Sequence, residues 1–194
     1  MLRISGGQFR GRRLKSPPKS WPARPTTERV REALFSMITD ELHGASVLDL
    51  FAGCGCLGLE ALSRGAARAC FIEQDGRMAA VIRQNLELCD ISKEQSRVIR
   101  GSAIDPRALR GVIAQGGTGI DLVMMDPPYA QDWPKQTLKA LLNAQLLSPG
   151  ALVVCEHERE ASIDPPETSP LEKLTVRAYG KTALTLLRNP LDGS

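Results

Sequence analysis

The chain has 194 residues, with 25 Lys or Arg against 22 Asp or Glu, and is 42% hydrophobic. That balance is the one expected of a single soluble domain with a short appendage. It leaves no apolar run long enough for a transmembrane helix. Five scattered cysteines (Cys54, Cys56, Cys70, Cys89 and Cys155) exclude a disulfide scaffold and predict reduced thiols in a cytoplasmic protein, and Met1–Lys19 has no apolar stretch that would make it a signal peptide.

In chain order, residues 1–25 are rich in Gly, Pro and Arg, which predicts turns and short strands. Leu2-Arg3-Ile4 and Gln8-Phe9-Arg10 are expected to pair as a small glycine-turned hairpin. Thr26 or Thr27 then caps a helix over about 27–42, with Val30, Ala33-Leu34 and Met37-Ile38 at helical spacing. From there strands and helices alternate. Strands are expected at Ser46–Ala52, Arg68–Ile72, Ser96–Arg100, Asp121–Met125 and Ala151–Cys155. The helices between them are Leu57–Arg64, Arg77–Leu88, Asp105–Ala114 and Pro134–Leu147. Such alternation implies βαβ units and a parallel sheet covered on both faces. Leu171–Tyr179 and Lys181–Arg188 break the pattern. Gly180 leaves no room for a helix between them, so they read as an antiparallel hairpin at the sheet edge. The expectation is an α/β fold over residues 26–189, with a mostly parallel seven-stranded sheet and a C-terminal antiparallel hairpin. A basic N-terminal extension (1–25) precedes it and a short tail (190–194) follows. That arrangement resembles a Rossmann-like class I methyltransferase.

Charge is distributed unevenly. Residues 1–31 carry nine Lys or Arg and one acid, a net +8, against −5 for the remainder. A positive arm on a mildly acidic body suits a polyanion partner. Arg3, Arg10, Arg12, Arg13 and Lys15 are its candidate phosphate contacts.

Asp49-Leu-Phe-Ala-Gly-Cys-Gly-Cys-Leu-Gly58 follows the first strand and opens a helix. Gly53, Gly55 and Gly58 fit G-x-G-x-x-G, where glycine permits a tight turn and close approach of a ligand. Glu73 ends the second strand, 20 residues after Gly53, where an acid can hold the two hydroxyls of a ribose. These features fit a nicotinamide dinucleotide as well as S-adenosylmethionine. Asp49 tilts the choice toward the latter, because a carboxylate there suits an ammonium and sits badly beside a pyrophosphate. Cys54-x-Cys56 lacks the further Cys or His pair that a tetrahedral metal site needs, so no metal is expected.

Asp126-Pro127-Pro128-Tyr129 ends the fourth strand, at the edge where open α/β sheets bind ligands. An exocyclic amine on a nucleobase is a poor nucleophile. The Asp126 carboxylate and the Pro127 carbonyl can accept its two N–H bonds and stabilise developing positive charge. Paired prolines hold the turn rigid, and Tyr129 can stack on the base. Methyl transfer then depends mostly on positioning and needs no nucleophilic residue and no metal.

These motifs resemble the small-subunit methyltransferase D family, the bacterial 16S rRNA guanine-N2 methyltransferases. The match rests on Asp49–Ala61, on Asp126–Tyr129, and on the blocks Arg3–Leu14 and Arg24–Phe35. The resemblance implies S-adenosylmethionine as methyl donor. It implies one guanine of 16S rRNA as acceptor, in the small ribosomal subunit or an assembly intermediate. Asp49, Phe51, Ala52, Gly53, Gly55, Leu57 and Gly58 would hold the methionine part, Glu73 the ribose, and Ser102-Ala103 the adenine edge, with Asp126 between cofactor and substrate. Arg24, Thr26, Thr27 and Arg29 would sit near the RNA. Cys54 and Cys56 replace the Ser and Ala more frequent in that family, and Ser102 replaces an Asp or Asn. A DNA or protein-glutamine amino-methyltransferase, and an assembly factor keeping the fold without catalysis, are the alternative readings. His43 and His157 read as solvated, Trp133 as a packing residue, and a monomer suffices.

Overall fold

The computed structural model describes residues 2–16, 27–113, 119–128 and 132–191. Two apolar runs occupy the centre of its sheet. Strand β1 (Ser46–Leu50) is buried throughout, and β4 (Ile120–Met125) is buried except at Asp121. They pair in parallel, with Leu50 opposite Met125. β2 (Arg68–Glu73) joins the other side of β1, and β3 (Ser96–Arg100) joins β2, both parallel. β5 (Leu147–Glu158) continues in parallel beyond β4. The seven-stranded order is β3-β2-β1-β4-β5-β7-β6, the expected class I methyltransferase arrangement. Chain direction across the sheet reverses at β1. The crevice for a ligand therefore lies at the carboxyl ends of β1 and β4.

Two apolar layers cover the sheet. On one face lie α1 (Glu28–Met37), α2 (Cys56–Ser63) and α3 (Gly76–Leu88), with Leu34, Phe35, Leu59 and Ile82 packed against Val47, Phe71 and Leu184. On the other lie α4 (Pro106–Ile113) and α5 (Trp133–Asn143), with Leu109, Leu138 and Leu141 on Leu48, Ile72 and Val153.

Several boundaries differ from expectation. α1 ends at Met37, five residues early. The Thr39 hydroxyl donates to the Phe35 carbonyl at 2.8 Å, and a 3-10 turn over Thr39–Glu41 follows. α5 ends at Asn143, because Gln145 takes a left-handed φ of 50° and β5 begins at Leu147. The hairpin of β6 (Glu172–Tyr179) and β7 (Thr182–Arg188) is antiparallel as expected, but β7 lies inside, paired with β5, and only β6 forms the edge. Burial explains this order, since β7 is apolar on both faces while β6 is largely exposed.

The arm departs further from expectation. Leu2–Ile4 pairs with Arg12–Leu14, not with Gln8–Arg10. The Ile4 amide donates to Arg12 O and the Leu14 amide to Leu2 O, each at 3.0 Å. This register turns Ile4 and Leu14 together into the core, at 1% and 7% exposure. The turn between them lies flat on α2. A Cβ at Gly7 would stand 1.8 Å from the Ser63 carbonyl oxygen, so that position accepts only glycine.

Candidate active site

The glycine loop connects β1 to α2 through left-handed backbone at Phe51, Gly53 and Gly55. Its glycines have different uses. Gly55 stands at the N-cap of α2 with φ 80°. Gly58 allows α2 to lie on β2, for a Cβ there would come within 2.3 Å of the Phe71 ring. Gly53 is partly exposed at the open side of the loop. Two carboxylates hold the loop in this shape. Asp49 Oδ2 accepts from the Gly58 amide at 2.9 Å, and Glu73 Oε2 accepts from the Gly53 amide at 2.7 Å. Glu73 Oε1 accepts from the Asp75 amide at 2.8 Å, which fixes the carboxylate at the end of β2.

Asp49, Glu73 and Asp126 therefore gather at the carboxyl ends of β1, β2 and β4. Burial, then the nearby Cys56, and then Asp126 and Glu73 push the Asp49 carboxyl well above its usual range, against the Gly58 amide, which lowers it. An acid cluster of this kind favours a ligand that brings positive charge. Glu73 retains lone pairs beyond its two amide bonds, which suits a diol. Cys54 and Cys56 lie buried under the loop. The neighbouring Cys54 thiol, followed by burial, pushes the Cys56 thiol up.

Asp126 is half-buried at the end of β4, followed by a buried Pro127 and an exposed Pro128. Tyr129 lies outside the described residues. Phe51 of the loop meets Trp133 of α5 edge-on, with ring centroids 5.8 Å apart. This contact joins the loop to the helix that follows the Asp126 turn. Trp133 is thus a packing residue, but its partner stands 82 positions away and no local pattern announces it. Ser102 is half-buried and lies in a turn, its hydroxyl accepting from the Ile104 amide at 3.4 Å; Ala103 beside it is buried. Phe51, Gly53, Glu73, Ser102 and Asp126 are thus partly open, while Ala52, Gly55, Leu57 and Gly58 support them from below.

Arg3, Arg10, Arg12, Arg13, Lys15, Thr27 and Arg29 are all exposed. Arg24 and Thr26 lie outside the described residues. Thr27 caps α1, accepting from the Val30 amide. Arg12 donates to the Leu88 carbonyl, lies 3.5 Å from Asp90 and stands over the Phe9 ring. Arg3 and Arg13 face each other across the hairpin. Arg31, counted above with the basic segment, is withdrawn from solvent at 1% exposure. Its Nη2 donates to the Arg3 carbonyl at 2.6 Å, and its Nε lies 3.6 Å from Glu60. Glu60, fully buried on α2, also accepts from the Ser5 amide, the Ser5 hydroxyl and Arg64 Nε, each at 2.8 Å. His157, expected to be solvated, is buried instead. Its Nε2 bonds Thr185 Oγ1 at 2.7 Å and its Nδ1 the Glu158 carbonyl oxygen at 2.8 Å. His43 is exposed.

Comparison with known proteins places this geometry. Residues 2–188 match the family described as Conserved hypothetical protein 95. Ribosomal RNA small subunit methyltransferase D of Escherichia coli (strain K12) is 40% identical over 159 residues, covering 82% of this chain and 76% of that protein. The Haemophilus influenzae protein of the same name is 37% identical over 172 residues, covering 89% and 86%. The solved structure of yhhF from Escherichia coli superposes with a TM-score of 0.81 at 34% identity, over 97% of this chain and 98% of that one.

Proposed function

The chain belongs to the ribosomal RNA small subunit methyltransferase D family, and from that premise we propose its reaction: S-adenosylmethionine-dependent methylation of the exocyclic N2 amino group of a guanine in 16S rRNA. The observation that carries this reading is the shared crevice at the reversal of the sheet. There Asp126, Pro127 and Pro128 at the end of β4 stand beside a glycine loop held by Asp49 and Glu73.

The donor set fits the cofactor. Asp49 and the neighbouring carboxylates suit its positive charges, Glu73 its ribose diol, and the turn at Ser102-Ala103 its adenine edge. When bound, S-adenosylmethionine supplies an electrophilic methyl group. The protein's own part is to hold the acceptor. The Asp126 carboxylate and the Pro127 carbonyl accept the two N–H bonds of the guanine amine, which keeps the nitrogen lone pair free. Asp126 also stabilises the positive charge that grows on nitrogen and receives the proton that leaves it. Tyr129 stacks on the base. A base removed from its helical stack loses a few kcal/mol of stacking and pairing, so the site acts most readily on a guanine already exposed in the substrate.

The arm supplies the RNA contacts, chiefly through Arg3, Arg10, Arg13 and Lys15. Arg3 and Arg13 form the closely spaced, non-hydrogen-bonded type of cross-strand pair, which disfavours like charges. A phosphate between them relieves that repulsion.

The direct test is transfer of labelled methyl from S-adenosylmethionine to unmodified small subunits, naked 16S rRNA and duplex DNA in parallel, followed by nucleoside analysis. N2-methylguanosine from subunits or rRNA is the expected product. Label in DNA, or in adenine or cytosine, would overturn the substrate. Cofactor binding without transfer to any of them would overturn the reaction.

A further inference from the structure

At the end of the sheet opposite the candidate active site, a recess of about 230 Å³ opens among the amino ends of β1, β2 and β4 and the loop that leads into β3. β1 alone, at five residues, separates the two sites by about 15 Å. The recess has an apolar floor on the α4/α5 face of the sheet, formed in part by Cys70, Val112, Ile120 and Leu146. Two half-buried arginines, Arg68 and Arg97, line it as well.

Strand register aims both arginines the same way. Cys70 is opposite Arg97 in the parallel β2–β3 pair, and Arg68 stands two residues before Cys70. All three side chains thus leave the sheet on the face covered by α4 and α5, with the two arginine backbones about 8 Å apart by ordinary strand spacing. Arg68 Nε donates to Ser46 Oγ at 2.6 Å, which holds its side chain in place. Among the described residues, neither guanidinium forms an ion pair. Glu94, at the mouth of the recess, is exposed and forms none with them.

Two arginines that line one recess beside an apolar floor favour an anion placed between them. Guanidinium recognises a planar or tetrahedral oxyanion through paired N–H donors. The volume is below the roughly 300–1,000 Å³ of sites for drug-sized ligands, so the occupant is small. We propose that this recess is a second ligand site, which takes a small organic oxyanion, a phosphate monoester or a carboxylate, with its apolar body against the floor and its charge between Arg68 and Arg97.

The test is an amide-resolved NMR titration of the full chain with phenyl phosphate, benzoate and, as a neutral control, benzyl alcohol. At least one of the two anions should shift the amides of residues 68–70 and 95–97 saturably, with a Kd of about 1 mM or below, and benzyl alcohol should not. The tighter anion identifies the oxyanion class. Arg97→Gln should weaken that binding at least tenfold, and Arg97→Lys by less, with unfolding temperatures matching the parent chain. The proposal is overturned by the absence of saturable shifts, by equal binding of the alcohol, or by Arg97→Gln binding unchanged. Shifts confined to the glycine loop would also overturn it, since they would place the anion in the other site.

Discussion

Asp49 and Asp126 are both carboxylates in one crevice, yet their environments assign them different work. Asp126 is partly open, and in the proposed reaction it holds the acceptor amine. Asp126→Ala should abolish methyl transfer, a loss of at least about 100-fold by the scale of lost transition-state stabilisation, while isothermal titration still detects cofactor binding. Asp49 is buried, and its folded pKa lies above its unfolded value. The folded chain therefore holds that proton at pH values where the unfolded chain has lost it. By linkage, the Asp49 contribution to stability falls as pH rises from about 4 toward the raised pKa. Asp49→Asn removes this dependence and keeps an oxygen for the Gly58 amide. Without ligand, the variant should gain stability relative to the parent as pH rises from about 4 to 7, measured by urea unfolding across that range. Its cofactor affinity should fall, because the positive ligand loses its partner. Spacing in the sequence was enough to single out Asp49, Glu73 and Asp126. It did not reveal that Asp49 and Glu73 also hold the loop, because those bonds to Gly58 and Gly53 close only when the strands pair. Arg31, counted with the basic segment, and His157, expected to be solvated, are buried for a related reason. A charged or polar letter looks solvated until its buried partner, here Glu60 or Thr185, is folded against it.

The elements most legible in the sequence were the strands of the parallel sheet, where apolar runs alternate with helical spacing over most of the chain. The arm was the least legible, because Gly and Pro mark turns without fixing strand register. Its true register is set by Ile4 and Leu14 entering the core and by Glu60 beneath it. Glu60 joins the arm, α1 and α2 through Ser5, Arg31 and Arg64. Glu60→Ala leaves the buried Arg31 without its carboxylate and should cost about 3–5 kcal/mol in chemical unfolding. The arm amides should gain hydrogen-exchange rate along with it, since Ser5 loses two bonds. A loss of less than about 1 kcal/mol, within the range for exposed ion pairs, would mean that the arm docks by apolar burial alone. This architecture also rules out deletion of the arm as a clean probe of RNA contact, because the deletion would remove Ile4 and Leu14 from the core.

Across the whole molecule the sheet separates charge from chemistry. The acid cluster sits at the carboxyl ends of the strands, and the basic hairpin lies on the α2 side, held in place mainly by the burial of Ile4 and Leu14 and by the buried Glu60. Folding withdraws Arg31 and ties Arg12 to Asp90, so the exposed arginines that remain are a smaller set than the count of residues 1–31 suggests. Arg3 and Arg13 oppose each other within that set, which allows binding and stability to be told apart by sign. The double variant Arg3→Gln, Arg13→Gln removes a like-charge pair, so the free protein should be unchanged or more stable by about 0.2–1 kcal/mol. Its affinity for rRNA should fall, and the slope of log affinity against log salt should become shallower by about 1.4–1.8, the value for two lost phosphate contacts. Cofactor affinity should stay the same. A purely structural role for these arginines predicts the opposite pair of results, lower stability with an unchanged salt slope. Unfolding and RNA titrations at several salt concentrations on the one variant therefore decide whether the hairpin is built for the fold or for the polyanion.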